Sequence, residues 1–197
     1  MENTKRILLI QGHPDGSARH LCHALANAYA SGAEAAGHEV RHVDVGSIEF
    51  SLLRSQAQWE HSAVTPGIKS AQLAISRAHH IVLFFPLWLG DMPALLKGFL
   101  EQVMRPGFAF QKEGGIPFAN KALTGRSARV VVTMGMPAMM YRWYFRAHSV
   151  KSLERNILGF TGISPVHETL IGQVGQLTDA AAKKWLVKLQ EMGREAG

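Results

Sequence analysis

Residues 79–110 read His79-His80-Ile-Val-Leu-Phe-Phe-Pro-Leu-Trp-Leu-Gly-Asp-Met-Pro-Ala-Leu-Leu-Lys-Gly-Phe-Leu-Glu-Gln-Val-Met-Arg-Pro-Gly-Phe-Ala-Phe110, and this stretch decides the fold. Its unbroken apolar run from Ile81 to Phe85 is typical of a strand buried on both faces of a parallel sheet. Pro86 then removes a donor from the strand ladder, and Pro93 stands where a helix can begin. The stretch therefore predicts a strand, a short apolar loop and a helix.

The rest of the chain alternates between strand-like and helix-like segments. Strand patterns occupy residues 5–11, 40–45, 81–85, 129–133 and 166–171. One helical pattern begins after residue 93, and others begin after Thr65-Pro66 and after Thr178-Asp179. A further pattern covers residues 139–160, and the first helix follows Ser17, which can cap it. This alternation predicts an α/β three-layer sandwich built on a five-stranded parallel sheet. Right-handed crossovers favour the strand order 2-1-3-4-5, in which the loops after Ile10 and Phe85 face one another where ligands bind.

The composition fits one globular domain over residues 1–197. Hydrophobic residues make up 47% of the chain and charged residues 18%. A single cysteine, Cys22, excludes an intrachain disulfide, and no apolar stretch reaches transmembrane length, so we expect a cytoplasmic protein. The net charge of +6 suits anionic cofactors, but no strong Lys/Arg cluster interleaved with aromatics predicts nucleic-acid binding. No histidine or cysteine spacing predicts a metal site.

The first loop, Gly12 to His20, lacks both the Walker motif and the glycine pattern of Rossmann nucleotide sites. A loop that opens a helix still offers free N–H groups and the positive end of the helix dipole to a phosphate. Ser17 adds a hydroxyl, and His13 and Arg19 add charge or donors. The loop is therefore a candidate phosphate site.

Three segments, in order along the chain, resemble the flavodoxin-like NAD(P)H:quinone oxidoreductases. This family includes DT-diaphorase, the bacterial modulators of drug activity and the ancillary subunits of potassium-efflux systems. The segments are Ile7–Ser17; Phe84-Phe85-Pro86-Leu87-Trp88 with Met92-Pro93-Ala94-Leu95-Leu96-Lys97-Gly98; and Thr133-Met134-Gly135 followed by Met140-Tyr141. The resemblance covers nearly the whole chain, and it implies a flavodoxin-like fold, a bound flavin, NAD(P)H as co-substrate and a quinone-type acceptor.

The resemblance also implies roles for particular residues. The flavin phosphate would be held by His13, Ser17, Ala18 and Arg19. One edge of the flavin ring would be lined by Pro86, Leu87, Trp88 and Leu89. The pyrimidine side would be approached by Thr133, Gly135 and Met136, where a glycine permits close backbone contact. Tyr141 and His148 would stabilise the negative charge on the reduced flavin. Phe108 and Phe110 would reach the active site of a two-fold partner, which implies a homodimer.

Two departures from the family pattern affect these roles. Trp88 directly follows Leu87, one place earlier than the family's tryptophan, so the ring contact is expected to shift by one residue. His148 lies seven residues after Tyr141, one more than in the mammalian quinone reductases. One residue turns a helical side chain by about 100°, so the orientation of His148 stays open.

The implied reaction is a two-step hydride relay with ping-pong kinetics, in which NAD(P)H and a quinone use the same face of the flavin in turn. Because the chain stops at Gly197, whereas the longer family members use FAD, we expect FMN, with FAD as the alternative. The choice between NADH and NADPH stays open. Rival functions are an azo- or nitroreductase, or an ancillary subunit docked on a potassium-efflux transporter. A one-electron flavodoxin is disfavoured by the positive net charge.

Overall fold

A computed structural model describes residues 4–18, 20–111 and 121–196, and its centre is one parallel sheet. The strands are β1 (Arg6–Gln11), β2 (Glu39–Asp44), β3 (His80–Pro86), β4 (Ser127–Thr133) and β5 (Val166–Ile171). They pair in the order β2-β1-β3-β4-β5, and every pairing is parallel. The predicted fold class and strand order are thereby confirmed.

Helices cover both faces of this sheet. They are α1 (Leu21–Ala35), α2 (Gln56–His61), α3 (Pro66–Arg77), α4 (Ala94–Val103), α5 (Ala138–Trp143), α6 (His148–Ser152), α7 (Gly159–Thr161) and α8 (Asp179–Glu195). A π-helical segment, Leu153–Leu158, joins α6 to α7. Within the ranges that the structure describes, no helix has both the length and the apolar character needed to cross a membrane.

Alternate side chains of each central strand enter opposite cores, which creates the three layers. Leu8 and Ile10 of β1 pack with α3 and α4, whereas Ile7 and Leu9 pack with α1 and α8. This alternation explains why the strands read as continuous apolar runs, since both faces are buried.

Two helix predictions are corrected by the structure. Ser17 does not cap α1: the N-cap is His20, whose side chain makes no capping bond, and the Ser17 hydroxyl donates to Asp15. The predicted helix over residues 139–160 is interrupted at Arg146 and Ala147, whose φ angles are +54° and +49°. Residues whose backbone adopts the left-handed conformation cannot continue a right-handed helix. No glycine or proline marks this break, and so the sequence pattern concealed it.

His80 is a buried titratable group at the beginning of β3, with 1% of its surface exposed. Its Nδ1 lies 2.7 Å from the Ser127 hydroxyl, and its Nε2 has no partner among the described residues. Burial, followed by the positive charges of Lys5, Arg129 and His167, lowers the pKa of His80 from 6.5 to about 4. The folded protein therefore holds this imidazole neutral at pH values where an unfolded chain would protonate it.

We expect His80 to make the protein less stable in mild acid. Between pH 6.5 and 4 the unfolded state binds more protons at this residue, so the free energy of unfolding falls as the pH is lowered through that window. The shift corresponds to a loss of about 3 kcal/mol. Urea unfolding at several pH values measures it. His80→Gln should flatten the pH dependence, whereas His42→Gln, at an exposed histidine, should not; equal slopes for wild type and His80→Gln would contradict the assignment.

Candidate functional site

The carboxyl ends of the strands are tied together by backbone hydrogen bonds that continue beyond the sheet. The Gly12 N–H donates to the Phe84 carbonyl at 2.7 Å, and the Leu87 N–H donates to the Thr133 carbonyl at 2.7 Å. These bonds join the loops that follow β1, β3 and β4. Three groups of predicted site residues therefore lie along one edge of the sheet: those of the first loop, Pro86–Leu89 and Thr133–Met136.

His13 connects the first loop to the loop after β3. It is buried, and its backbone N–H donates to Gln11 Oε1 at 3.0 Å. Its Nδ1 accepts the Asp15 N–H at 3.1 Å. The His20 ring stacks on it with centroids 3.9 Å apart, and Trp88 meets it edge-on at 6.0 Å. The predicted juxtaposition of the two loops is thus observed.

The protonation of His13 follows from these contacts. Burial, followed by repulsion from His20 and His23, lowers the pKa of His13 below 6.5, which favours a neutral ring at pH 7. Because Nδ1 accepts a hydrogen bond from Asp15, the hydrogen of the neutral ring is assigned to Nε2. His13 can therefore act as a neutral donor through Nε2.

Asp15 is the centre of the first loop's polar contacts. Its Oδ1 accepts the Ser17 N–H at 2.8 Å and the Ser17 hydroxyl at 2.6 Å, and its Oδ2 accepts His20 Nε2 at 2.9 Å. The Ser17 hydroxyl first, and then His20, hold the pKa of Asp15 well below its usual range. Ala18 is exposed beside these residues. Arg19, the remaining predicted phosphate ligand, lies outside the described residues.

Buried polar atoms without partners lie next to this loop. Gln11 is 8% exposed, and its Nε2 has no hydrogen-bond partner among the described residues; the same holds for both ring nitrogens of His23. Cys22 donates its thiol to Gln11 Oε1 at 3.3 Å, and burial raises the pKa of Cys22 to about 12. The cysteine is therefore a buried thiol. Unpaired buried groups such as Gln11 Nε2 call for an unseen partner.

Residues 88–91 form a tight turn at the exit of β3. The Trp88 N–H donates to the Asp91 carbonyl at 2.8 Å, and the Asp91 N–H donates back to Trp88 at 3.0 Å. Leu89 and Gly90 have φ angles of +49° and +81°, as a type I′ turn requires. Trp88 is half-exposed and Leu89 is fully exposed at the tip. The turn thus presents two apolar side chains to solvent beside His13.

The other predicted ring-contact residues, at the ends of β3 and β4 and in the loops that follow them, differ in their exposure to solvent. Pro86 pairs with Thr133 in the sheet, and Leu87 packs against the α3–α4 core. Thr133 is buried, whereas a Cβ placed on Gly135 would meet no atom within 4 Å. Met136 accepts the Gln173 N–H at its carbonyl, at 3.0 Å. The backbone at Gly135 is therefore open to close approach by a ligand.

Tyr141 and His148 occupy different environments. Tyr141 is 1% exposed; its hydroxyl lies 2.6 Å from the Ser149 hydroxyl and accepts the Val150 N–H at 3.4 Å. His148 is exposed at the beginning of α6, directly after the left-handed Ala147. The tyrosine hydroxyl therefore already has partners inside the protein, while the histidine side chain faces solvent.

Phe108 and Phe110 lie elsewhere in the fold. Phe108 is half-buried and packs against the α3–α4 core. The Phe110 ring contacts Trp59 and Phe160, at centroid distances of 5.7 Å and 5.2 Å. Together these three rings border a cavity of about 420 Å³ that residues 86–89 do not line. Within the described part of this chain, Phe110 makes no ring contact with Trp88.

Three residues of the site, Gln11, His20 and His23, were not identified from the sequence. Gln11 ends a predicted strand, His20 ends the first loop without a role of its own, and His23 lies within the predicted first helix. Their spacing of three residues places His20 and His23 on one side of the helix start. That signal becomes informative only once the helix is known to begin at Leu21. Among the described residues, no cluster of His, Cys, Asp or Glu is arranged to hold a metal ion.

Comparisons with known proteins agree with this architecture. The Flavodoxin_2 family, described by its flavodoxin-like fold, matches residues 5–192. An uncharacterized NAD(P)H oxidoreductase of Haemophilus influenzae is 26% identical over 193 residues, covering 96% of this chain and 94% of that protein. The glutathione-regulated potassium-efflux system ancillary protein KefG of Yersinia enterocolitica is 42% identical over 67 residues, 34% of this chain and 33% of that protein. The NAD(P)H:quinone oxidoreductase structure from Methanothermobacter marburgensis superimposes with a TM-score of 0.80 at 21% identity, covering 98% and 97% of the two chains.

The residues at this edge fit the flavin that the sequence resemblance implies. His13 and Ser17 carry donors at the first loop, and Gln11 and His23 hold buried polar atoms that find no partner in the part of the chain that the structure describes. Trp88 offers a half-exposed aromatic surface, and Gly135 leaves its backbone open. A phosphate, a flat ring and polar ring atoms therefore all find chemically matched residues.

We expect Leu89→Asn to raise the stability of the protein. A leucine in the left-handed region costs about 1 kcal/mol, whereas Asn-Gly is the preferred pair for a type I′ turn. The free energy of unfolding should rise by up to that amount in urea titrations. Leu52→Asn removes another exposed leucine whose φ is not positive, and it should give no gain. A Leu89→Asn protein no more stable than wild type would show that the turn stores no strain.

Proposed function

We propose that this chain, which belongs to the Flavodoxin_2 family of flavodoxin-like folds, is a flavin-dependent NAD(P)H:quinone oxidoreductase formed by one domain over residues 1–197. The observation that carries the proposal is the contact between His13 and the Trp88 turn where the strand order reverses between β1 and β3, beside Gln11, whose Nε2 has no partner among the described residues. The Haemophilus relative is named an NAD(P)H oxidoreductase and the Methanothermobacter structure an NAD(P)H:quinone oxidoreductase, which supports the NAD(P)H and quinone parts of the proposal.

The first loop would hold the phosphate of the cofactor. Ser17 contributes a hydroxyl and a backbone N–H, and His13 contributes the Nε2 hydrogen of its neutral ring. Helix α1 begins without a side-chain cap, so its first N–H groups and its dipole are available to an anion. Ala18 would add a backbone donor, and Arg19 remains the expected cation on the strength of the family resemblance.

The loops after β3 and β4 would surround the ring. When bound, the flavin supplies the two-electron hydride chemistry that side chains lack. Trp88 and Leu89 would cover one edge with apolar surface and exclude water, with Pro86 and Leu87 fixing the turn to the sheet. On the pyrimidine side, the open backbone at Gly135 would allow close approach between Thr133 and Met136.

Tyr141 and His148 would stabilise negative charge on the reduced cofactor. The Tyr141 hydroxyl is held in place by Ser149 and by the Val150 N–H, which favours a fixed donor over a mobile one. His148 stands at the beginning of α6, one residue before Ser149, and its side chain is exposed to solvent.

FMN is the proposed cofactor, with FAD as the alternative, and NAD(P)H is the proposed electron donor. A quinone would use the same site after the oxidised nicotinamide has left. We also propose a homodimer in which Phe108 and Phe110 of one copy complete the site of the other. The half-buried Phe110 ring at the border of the 420 Å³ cavity supports this arrangement, since it makes no ring contact with Trp88 of its own chain.

The second candidate function is a regulatory subunit that docks on a potassium-efflux transporter. The local similarity to KefG favours it, and so does the exposed apolar surface of α5 and of the residue that follows it, where Met139, Trp143 and Tyr144 all face solvent. A solvent-facing surface of this kind suits a protein partner.

The test of the proposed function begins with the colour of the purified protein. A yellow protein, or a colourless one that takes up FMN or FAD, should oxidise NADH or NADPH rapidly only when a quinone is added. Double-reciprocal plots at several quinone concentrations should be parallel, as a ping-pong reaction requires. Flavin binding without quinone turnover would favour the regulatory subunit, faster turnover of an azo dye would favour the azoreductase, and a chain that takes up no flavin would overturn the proposal.

We expect Tyr141→Phe and Ser149→Ala to separate the structural role of their hydrogen bond from a role in the reaction. Both variants break the bond between the Tyr141 and Ser149 hydroxyls, which should lower the free energy of unfolding by about 1 kcal/mol, and Tyr141→Phe also removes the acceptor of the Val150 N–H. If the Tyr141 hydroxyl stabilises developing charge, only Tyr141→Phe should also lower kcat, by roughly a hundredfold. Urea unfolding and steady-state kinetics measure the two effects. Equal falls in kcat for both variants would leave Tyr141 with a structural role alone.

A further inference from the structure

We propose that Asp15 competes with the flavin phosphate for the donors of the first loop and thereby sets how much the phosphate contributes to cofactor affinity. The inference rests on the proposed function, and it concerns a residue to which neither the sequence pattern nor the family resemblance gave a role. Asp15 would be an affinity-determining residue that opposes cofactor binding.

The donors in question are those that a phosphate would need. Asp15 accepts the Ser17 N–H, the Ser17 hydroxyl and the His20 Nε2 hydrogen, at distances of 2.8, 2.6 and 2.9 Å. Each of these donors carries one hydrogen and can form one strong bond at a time. A phosphate can therefore engage Ser17 and His20 only after the Asp15 carboxylate has released them.

A second observation marks the same place as a ligand site. Gln11, which is 8% exposed, begins the chain of contacts that leads through His13 to Asp15, and its Nε2 has no partner among the described residues. Beside the three donors that an internal anion occupies, the end of β1 thus holds a buried donor that no described residue uses. An anionic ligand at this loop would compete with Asp15 for those three donors.

Charge makes the competition stronger than an exchange of hydrogen bonds. The carboxylate is kept ionised by Ser17 and His20, and a flavin phosphate is itself an anion. Even after Asp15 rotates away, the two anions remain close, because its backbone N–H stays bonded to His13 Nδ1. Repulsion between unit charges about 4 Å apart in water changes a dissociation constant by roughly fivefold.

Asp44 provides a matched control. Its Oδ2 lies 3.5 Å from the position that a Cβ on Gly16 would occupy, so it is also an acid beside this loop. Its own bonds go to the Gly46 N–H at 3.1 Å and the Ser47 hydroxyl at 2.8 Å. Asp44→Asn therefore removes a nearby negative charge without freeing Ser17 or His20.

The experiment compares FMN with riboflavin, which has the same ring and no phosphate. Dissociation constants for both are measured by quenching of flavin fluorescence, on the full chain freed of cofactor, for wild type, Asp15→Asn and Asp44→Asn. Asp15→Asn should bind FMN about fivefold more tightly and riboflavin as wild type does. Asp44→Asn should change the ratio of the FMN and riboflavin dissociation constants less than Asp15→Asn does. Asp15→Ser replaces Asp15→Asn if the asparagine variant does not fold.

The outcomes separate this inference from the proposed function. If wild type binds FMN and the Asp15 variant binds it equally or less tightly, Asp15 positions the donors and the inference is wrong. An equal gain in Asp44→Asn would assign the effect to general charge and would also overturn it. If wild type binds neither FMN nor riboflavin, and does not bind FAD, the proposed function fails and the inference with it.

Discussion

The parallel pairing of β1, β3 and β4 holds every part of the candidate site in place. Their register aligns Ile10 with Leu83, Phe84 with Val131, and Pro86 with Thr133. A slip of one residue would exchange the two cores, because neighbouring side chains enter opposite faces of the sheet. The bonds from Gly12 to Phe84 and from Leu87 to Thr133 extend this register into the loops. The precision of the site is therefore inherited from the buried sheet.

Three departures from local structural preference lie at that edge of the sheet. Helix α1 begins without a side-chain cap, Leu89 adopts a left-handed conformation, and Gln11 carries a buried amide without a partner among the described residues. Each feature costs stability, and proteins retain such costs mainly where they serve function. The fully formed sheet beneath supplies the rigidity that lets these features persist.

The negative charge of Asp15 in the first loop opposes the positive net charge of the whole chain. The chain as a whole carries +6, which attracts anionic cofactors from a distance, yet the loop that would hold their phosphate contains the ionised Asp15. Long-range attraction favours encounter, while the local carboxylate weakens the final contact. A cofactor held mainly through its ring, at Trp88 and Gly135, would be consistent with this balance of charges.

The sequence by itself determined the layers, the strand order and the loops that form the site, because apolar runs such as Ile81–Phe85 and capping residues such as Thr65 act locally. It also marked His13, Ser17 and Trp88 as candidates through their place in those loops. Only the tertiary structure decided that Ser17 bonds to Asp15 and does not cap α1, that Ala147 breaks the predicted long helix, and that His20 stacks on His13. The Ser17–Asp15 bond spans only two residues, and a local side-chain bond of this kind competes with a helix cap, so the sequence pattern alone does not choose between them. The stack of His20 on His13 depends on the path of the whole first loop, which is set where the loop meets the ends of the buried strands.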